Sequence, residues 1–407
     1  MRLLVVTRYY PFPPKKGSAI VAYNNIREIS KKHSVYLVCA DVPKEKGDLA
    51  EFVEQIEVIG LQNIPRILQL LRSIFYMLLG VPRFVSTCAS HKMEKRISEL
   101  TEQNKFDAIL LYELDVIQYF QPSCFKKMIV NIEDPQLIKL NRMYRLPLLS
   151  IWEKVKLIVD ARLMARYEKK YLPKMARVVL LSEEDARDLR KEGGYDNIGC
   201  VSYGVDKRPL DKVLDCNERT DGMIIFSGSM FHLPNVDGAL YFLQHIFPLV
   251  LKEYPTAVLW IVGAKPDFRI SDASIFFKDH VVITGSVNDM SEYLQRAKVS
   301  ICPVRLKIGV QTKILEALSW GTPVVTTSAG NSGIGGSSGK ELLVEDNPTT
   351  FAESVVELLR GKNWIQFSEE GRKLVDKRFS WERSSAELEQ HIMNIQATDL
   401  HQEKITS

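Results

Sequence analysis

Short, uninterrupted apolar runs alternate with longer helical patterns along this chain, and this alternation limits its possible folds most strongly. The runs are rich in valine, isoleucine and leucine, which is typical of strands covered on both faces. Helices between such strands predict parallel sheets built from repeated βα units. The predicted strands are residues 3–7, 35–39, 56–59, 108–111, 128–131, 178–181, 223–226, 257–262, 281–284, 299–302, 324–327 and 342–345.

The pattern occurs twice, and a charged stretch with a proline interrupts it around residues 202–222. We therefore predict an α/β fold of two doubly wound, Rossmann-like domains that face each other across a cleft. Ligands of such sheets bind at the carboxyl ends of the strands, so the cleft is the expected site. The predicted boundaries are 1–205 and 206–380 for the domains, 381–396 for a final helix and 397–407 for a flexible tail.

Composition excludes several classes of protein. The chain has 407 residues and a formal net charge of +4, with no long basic run interleaved with aromatic residues, which argues against nucleic-acid binding. Its six cysteines form no Cys-x-x-Cys pair, which favours reduced thiols in a cytoplasmic protein over a metal site. No apolar run could span a bilayer without charges, and residues 1–7 predict a buried strand rather than a signal peptide.

The segment 303–325 carries the strongest indication of chemistry. A strand ends near Cys302, a loop with Gly309 follows, and a helix begins near Gln311 and Thr312. Cations and free backbone N–H groups at a helix start can hold a phosphate, and a carboxylate one turn later can accept hydrogen bonds from a ribose diol. The residues in this pattern are Arg305, Lys307, Lys313 and Glu316. A surface helix start with salt bridges is the alternative, but the helix dipole disfavours a lysine in the first turn.

Three other loops follow predicted strands and contain glycine. Gly17 and Ser18 begin a helix after the first strand, where an anion could bind, although an ordinary helix N-cap is the alternative. Gly228 and Ser229 follow the first strand of the second half and would face a phosphate or form only a tight βα loop. The turn 284–287, with Gly285 and Val287, could bind a base edge through its backbone. Residues 330–339 form a Gly/Ser segment that would be a lid or a linker.

Carboxylates for acid–base chemistry are found in the first half of the chain, near strand ends. The candidates are Glu113, Asp115, Glu133 and Asp134, with histidines at His33, His91 and His232. The sequence alone does not pair them.

Two segments combine apolar residues with basic residues, and each could be a helix that lies on an anionic membrane or a helix that faces the core. They cover residues 64–83 and 146–175.

Several motifs together resemble retaining glycosyltransferases of family 4 with the GT-B fold, and among them the bacterial enzymes of exopolysaccharide synthesis. The motifs are residues 10–18, Gly-Val-Asp at 204–206, Phe-Ser-Gly-Ser-Met at 226–230, Pro-Asn-Val-Asp at 234–237, the segment 305–325 and Phe-Ser-Trp at 379–381. The resemblance covers nearly the whole chain and is strongest over 223–345.

The resemblance implies that the second domain binds a nucleotide sugar and the first domain binds the acceptor. Arg305 and Lys313 would contact the diphosphate as the catalytic cations, and Glu316 would bind the ribose. The remaining substrate-binding residues would be Gly17, Ser18, Gly228, Ser229, Gly285, Val287, Gly309, Gln311 and Thr312. Two positions differ from the family pattern, because Ile308 replaces a common glutamate and Ser229 replaces a cation.

These observations predict a metal-independent hexosyltransferase of cell-surface polysaccharide synthesis that needs no cofactor. It would move a hexose from a nucleotide diphosphate sugar to a glycan or lipid-linked acceptor with retention of the anomeric configuration. The predicted location is the cytoplasm, with contact to the inner face of the membrane as an option. The alternatives are a nucleotide-sugar epimerase on the same fold and a non-catalytic glycosyltransferase-like scaffold.

Overall fold

The computed structural model describes residues 1–14, 17–42, 45, 47–60, 66–206 and 215–406. The side chains of residues 66, 69, 70 and 396–406 are not described. Residues 207–214 of the predicted linker, residues 64 and 65 of the first basic apolar segment, and residues 15 and 16 of the first motif lie outside this set. The chain divides into two compact units: Met1–Tyr144, Ser150–Gly204 and Trp381–Ser407 form the first, and Arg145–Leu149 and Val205–Ser380 form the second.

The first unit contains a parallel sheet with the strand order β3-β2-β1-β4-β5-β6-β7. Its strands other than the edge strand β3 are buried along most of their length, as the continuous apolar runs predicted. The strands are β1 (Arg2–Thr7), β2 (Ser34–Cys39), β3 (Gln55–Val58), β4 (Ala108–Tyr112), β5 (Met128–Ile132), β6 (Arg177–Leu180) and β7 (Ile198–Cys200).

Helices flank this sheet, and the last helix of the chain also belongs to the first unit. They are α1 (Gly17–Ile29), α2 (Leu49–Phe52), α3 (Arg66–Leu78), α4 (Arg83–Ser86), α5 (His91–Gln103), α6 (Gln136–Met143), α7 (Ile151–Tyr171) and α8 (Glu183–Gly193). Helix α7 begins with a capping box, in which the side chains of Ser150 and Glu153 each bond the backbone of the other.

The second unit contains a parallel sheet with the strand order β10-β9-β8-β11-β12-β13. Strands β9 and β10 are added on one side of β8, whereas β11, β12 and β13 are added on its other side. The carboxyl ends of β8 and β11 are therefore the switch point, where doubly wound sheets bind ligands. The strands are β8 (Met223–Ser227), β9 (Val258–Val262), β10 (Val281–Gly285), β11 (Val299–Cys302), β12 (Val324–Thr326) and β13 (Leu343–Val344).

The helices of the second unit pack on its sheet around an apolar core that includes Phe226, Phe242 and Phe351. They are α9 (Leu233–Tyr241), α10 (Phe247–Glu253), α11 (Phe268–Ser274), α12 (Ser291–Arg296), α13 (Thr312–Ser319), α14 (Ser328–Asn331), α15 (Pro348–Leu359) and α16 (Trp364–Arg378). A π-helical turn, Phe242–Ile246, joins α9 to α10.

The predicted α/β class and its two doubly wound sheets are confirmed, but two elements differ from the prediction. Strand β7 was missed because it has three residues, one of them Gly199, and shows no apolar run. The final helix, α17 (Trp381–Thr406), continues past residue 396, where the sequence predicted it to end. Residues 396–406 contain alanine, leucine, glutamine, glutamate and lysine, all of which favour helix.

A buried carboxyl group makes the stability of the first unit depend on pH. Glu168 of α7 is buried and accepts a hydrogen bond from the backbone N–H of Leu137 at 3.1 Å. Burial raises the pKa of Glu168 to about 7, while that hydrogen bond opposes the rise. The folded protein therefore keeps this proton at pH values where the unfolded chain has lost it. The free energy of unfolding should fall as pH rises from about 4.5 to about 7.

Glu168→Gln should remove this pH dependence, because glutamine keeps an acceptor oxygen and carries no charge. We expect the variant to match the wild type in denaturant unfolding at pH 5 and to exceed it by about 1 to 3 kcal/mol at pH 8. Glu192→Gln, an exposed change on the neighbouring helix α8, is the matched control and should have no effect. Equal stability of Glu168→Gln and wild type at both pH values would contradict the assignment.

Candidate active site

Lys313 lies at the switch point of the second sheet, in the first turn of α13. Its side chain is only 7% exposed, and its ammonium group lies 4.8 Å from the centre of the Phe226 ring. Burial lowers the pKa of Lys313, while the charge of Glu316 acts in the opposite direction. Its ammonium group donates to a neutral amide oxygen, that of Asn235. A buried cation held by a neutral acceptor is costly, so the site is suited to an anionic ligand.

Asn235 of α9 connects Lys313 to the loop after β8. Its Oδ1 accepts a hydrogen bond from Lys313 Nζ at 2.5 Å, and its Nδ2 donates to the backbone carbonyl of Ser229 at 3.0 Å. Both ends of the amide are therefore used to hold the ammonium group beside the loop. Sequence reasoning gave Asn235 no role, although the Pro-Asn-Val-Asp motif at the start of α9 contained it.

Gly228 is required because the loop passes very close to this pair. A Cβ at Gly228 would lie 3.0 Å from Asn235 Nδ2 and 3.3 Å from Lys313 Nζ, and its φ is +136°. The next two strands also end in glycines with positive φ, Gly263 and Gly285. The N–H of Gly228 bonds the carbonyl of Val262, and the N–H of Gly263 bonds the carbonyl of Gly285, both at 3.0 Å.

These three glycines leave the strand ends without side chains, so a ligand could approach the backbone closely. Gly263 was missed by sequence reasoning, although it directly follows a predicted strand. A Cβ at Gly263 would lie 1.7 Å from the carbonyl oxygen of Gly228, so alanine at this position would displace the loop.

Arg305 is already paired with a carboxylate. Its Nε and Nη2 donate to the two carboxylate oxygens of Asp237 at 2.8 and 2.5 Å, and its guanidinium lies 4.6 Å from the centre of the Tyr241 ring. The Arg305 side chain is 39% exposed, whereas that of Asp237 is 2% exposed. Arg305 thus holds the loop after β11 against α9. Its Nη1 makes no hydrogen bond with the described residues.

The remaining predicted residues near α13 occupy the loop and the helix start. Gln311 is the N-cap residue, and its Nε2 donates to the carbonyl of Ile308 at 3.0 Å. Thr312 is the first helical residue, and Glu316 follows Lys313 by one turn. Ile308 is buried, so a side chain packed in the loop stands where the family pattern has a glutamate.

The Gly/Ser segment 330–339 packs against this loop. Its first two residues, Gly330 and Asn331, belong to α14. A Cβ at Gly333 would lie 2.6 Å from the carbonyl oxygen of Gly309, whose φ is +59°. Asn331 bonds the backbone N–H and the carbonyl of Gly336 with its two amide atoms. The segment therefore supports the loop that contains Gly309, which differs from the predicted lid or linker.

Neither Ser229 nor Val287 forms a direct hydrogen bond with Lys313 in the part of the chain that the structure describes. Ser229 lies in the loop before α9, whose N-cap is His232, and its backbone carbonyl accepts a hydrogen bond from Asn235. Val287 is half-buried after β10.

In the first unit, a carboxylate of the protein occupies the start of α1. The backbone N–H of Ser18 donates a hydrogen bond to Glu133, and a Cβ at Gly17 would lie 1.8 Å from Glu133 Oε1. Burial and the neighbouring Asp134 raise the pKa of Glu133 to about 7. Gly17 is therefore needed to admit Glu133, and an anion at this helix start would have to displace that carboxylate.

The other predicted acid–base carboxylates of the first unit, Asp115, Asp134 and Glu113, have different surroundings. Asp115 is fully buried and pairs with Arg8 at 3.0 Å, and Asp134 pairs with Lys139 at 2.6 Å. Glu113 has a φ of +83°, and its buried Oε2 has no hydrogen-bond partner. Burial and the charge of Glu133 raise the pKa of Glu113 well above its usual range. Among the described residues, no group of three or more histidine, cysteine or acidic side chains is placed to hold a metal.

Two doubly wound parallel sheets in one chain, with a buried cation at the switch point of the second, define a GT-B fold. Residues 221–361 match the family model described as Glycosyl transferases group 1, and this segment contains Gly228, Asn235, Arg305 and Lys313. This segment is a glycosyltransferase group 1 domain and the chain has the GT-B fold, so the resemblance that its motifs indicated is confirmed for the segment and for the fold.

Known proteins similar to this chain share its fold over nearly its whole length. An uncharacterized 44.6 kDa protein in the cps region of Klebsiella pneumoniae is 22% identical over 380 residues, which cover 87% of this chain and 90% of that protein. Sucrose-phosphate synthase from Thermosynechococcus elongatus superposes with a TM-score of 0.71 at 15% identity, covering 98% of this chain and 100% of that one.

HepE of Anabaena, solved in complex with UDP and glucose, gives a TM-score of 0.65 at 11% identity, with coverage of 97% of this chain and 100% of that chain. WaaG, a glycosyltransferase involved in lipopolysaccharide biosynthesis, gives a TM-score of 0.59 at 15% identity, with coverage of 95% of this chain and 98% of that chain.

Proposed function

We propose that this glycosyltransferase moves a hexose from a nucleotide diphosphate sugar to a glycan or lipid-linked acceptor. The observation that carries the proposal is the buried ammonium group of Lys313, which donates to the neutral amide oxygen of Asn235 and not to a negatively charged carboxylate. A diphosphate bound beside Gly228 would supply that charge and would reach the backbone at the glycine-lined strand ends.

The reaction breaks the bond between the anomeric carbon and the diphosphate oxygen and forms a bond to an acceptor hydroxyl oxygen. The electron pair of the broken bond stays on the leaving diphosphate, which takes up the acceptor proton. Lys313 would stabilise the negative charge as it develops, in a site shielded from water. Because Lys313 supplies the positive charge, we propose that transfer needs no metal ion and no cofactor. Retention of configuration is proposed from the resemblance to retaining enzymes.

Cell-surface polysaccharide synthesis is the proposed setting. Two similar proteins support it by their descriptions, since one is encoded in a cps region and WaaG is involved in lipopolysaccharide biosynthesis. The structure of HepE with UDP and glucose supports a nucleotide-sugar donor. We also propose cytoplasmic location with contact to the inner face of the membrane.

Glu316→Gln should weaken nucleotide binding if Glu316 holds the ribose. Calorimetric titration with UDP should show about a tenfold loss of affinity, because a hydrogen bond to a charged group is lost. Wild-type protein should bind UDP more tightly than 2′-deoxy-UDP, and the variant should lose this preference. Glu353→Gln, an exposed change on α15, is the control. An unchanged preference for UDP in Glu316→Gln would remove the ribose role.

A panel of nucleotide sugars, assayed for release of nucleoside diphosphate and for product configuration by NMR, tests the whole proposal. We expect turnover of at least one donor in the presence of a chelator, and a product with the anomeric configuration of that donor. Conversion of a donor into its epimer without release of nucleoside diphosphate would favour an epimerase. Tight nucleotide binding without turnover of any donor would favour a non-catalytic scaffold.

A further inference from the structure

Helix α3 exposes its apolar face to solvent. Seven large apolar side chains on α3 and the residue after it are 47–82% exposed: Ile67, Leu68, Leu71, Ile74, Phe75, Leu78 and Leu79. Arg72 points the other way and donates to the carbonyls of Ser86 and Ala89. An apolar patch of this size is unusual for a protein surface and marks a site that another surface covers.

The first half of α7 also exposes large apolar side chains. Ile151, Trp152, Val155 and Val159 are exposed, and Trp152 is 79% exposed. Trp152, Val155 and Val159 are spaced three or four residues apart and form one stripe along the helix, with Ile151 beside Trp152 at its start. The two helices are connected through α4, since Arg83 at the start of α4 pairs with Asp160 of α7 at 3.2 Å.

The second half of α7 continues this stripe with positive charge. The exposed cations of the helix are Lys156, Arg162, Arg166, Lys169 and Lys170. Its three carboxylates are engaged elsewhere: Glu153 bonds Ser150 at the helix start, Asp160 pairs with Arg83, and Glu168 is buried against Leu137. The exposed face of α7 therefore presents apolar side chains followed by cations, and Glu153, the exposed carboxylate at the helix start, is bound in the capping box with Ser150.

We infer that α3 and α7 form a docking surface for an anionic lipid bilayer, an inference that rests on the proposed membrane contact and names its residues and lipid class. Apolar side chains beside lysines and arginines match an interface of acyl chains and anionic headgroups. None of the helices in the described part of the chain could cross a bilayer, so the contact is a surface one. A second copy of this chain would bury the apolar stripe but would bring the cations of the two α7 helices together.

Sedimentation of the full-length protein with lipid vesicles tests this inference. We expect binding to vesicles of phosphatidylcholine and phosphatidylglycerol, with weaker binding to phosphatidylcholine alone. Phe75→Ser/Leu78→Ser should lower the partition coefficient at least about tenfold, because two apolar side chains no longer enter the bilayer. Phe276→Ser is the matched control, because Phe276 is 86% exposed in the second unit and should not contribute.

The charge contribution is tested separately. Lys169→Gln/Lys170→Gln should weaken binding to the anionic vesicles about tenfold and leave binding to phosphatidylcholine unchanged. Lys92→Gln/Lys95→Gln on α5 is its control. Failure of wild-type protein to bind anionic vesicles, or an equal loss in Phe276→Ser, would overturn the inference. A dimer in sedimentation velocity that Phe75→Ser/Leu78→Ser dissociates, without vesicle binding, would assign the surface to a second copy instead.

Turnover of a water-soluble nucleotide sugar keeps this test separate from the proposed function. All four surface variants should turn over the donor like the wild type. Vesicle binding by a protein that turns over no donor would count against the proposed function alone, and donor turnover without vesicle binding would count against the docking surface alone.

Discussion

Lys313→Met is expected to lower the rate of donor turnover at least about a hundredfold, while the folded protein loses little or no stability. We expect the loss of rate because the change removes the buried cation that we propose stabilises charge on the leaving diphosphate. Stability is preserved because methionine fills a similar volume and removes an ammonium group that burial penalises. Removal of the ammonium group leaves the Oδ1 of Asn235 without its donor, which costs about 1 kcal/mol and offsets part of the gain in stability. Steady-state turnover and denaturant unfolding measure the two effects.

Lys298→Met is the matched control for this prediction. Lys298 is also a buried lysine, but it precedes β11, whereas Lys313 follows it, and it pairs with Asp221 at 2.5 Å. We expect its replacement to destabilise the second unit and to leave turnover unchanged below the melting temperature. If both variants lose stability and turnover together, Lys313 is structural and the assignment of the donor site fails.

Arg305→Ala should destabilise the second unit. The change leaves the buried carboxylate of Asp237 without its bidentate partner and removes a guanidinium stacked on Tyr241. Because the Arg305 side chain is partly exposed, water replaces part of the lost interaction, and we expect a loss of about 1 to 3 kcal/mol in the free energy of unfolding.

Asp237→Ala separates the structural role of Arg305 from a role in the reaction. The double variant Arg305→Ala/Asp237→Ala should recover part of the lost stability, because it leaves no unpaired buried charge. We expect it not to recover turnover, since the Nη1 donor of Arg305 is still missing. Recovery of both would show that Arg305 serves the fold alone, and its predicted contact with the diphosphate would be wrong.

Most of the fold could be predicted because buried parallel strands leave a clear signature in the sequence. Continuous runs such as 223–226 and 299–302 correspond to β8 and β11, and the loops after them contain Gly228 and Lys313. Strand β7 gave no such signature, because three residues that include a glycine are too short for a run.

The partners of the site residues could not be predicted, because they depend on contacts between distant parts of the chain. Arg305 and Asp237 are separated by 68 positions, and Lys313 and Asn235 by 78. The pattern predicted the same role for Arg305 and Lys313, whereas Arg305 pairs with the carboxylate of Asp237 and Lys313 donates to the amide oxygen of Asn235. At Gly17 and Ser18, likewise, the pattern indicated an anion site but could not show that Glu133 occupies it.

The direction of an apolar helix face could not be predicted either. The periodicity of α3 and α7 is the same whether the apolar stripe faces the core or a bilayer. Phe75, Leu78 and Trp152 are exposed, so their side chains do not face the core, and this exposure is the basis of the proposed bilayer contact.

A crystal structure with UDP bound tests the central claim most directly, because that claim is the location of the donor site. We expect the diphosphate to lie at the carboxyl ends of β8 and β11, within hydrogen-bond distance of Lys313 Nζ and next to Gly228, with the ribose at Glu316. A diphosphate bound away from Lys313, or at the start of α1 in place of the Glu133 carboxylate, would contradict it.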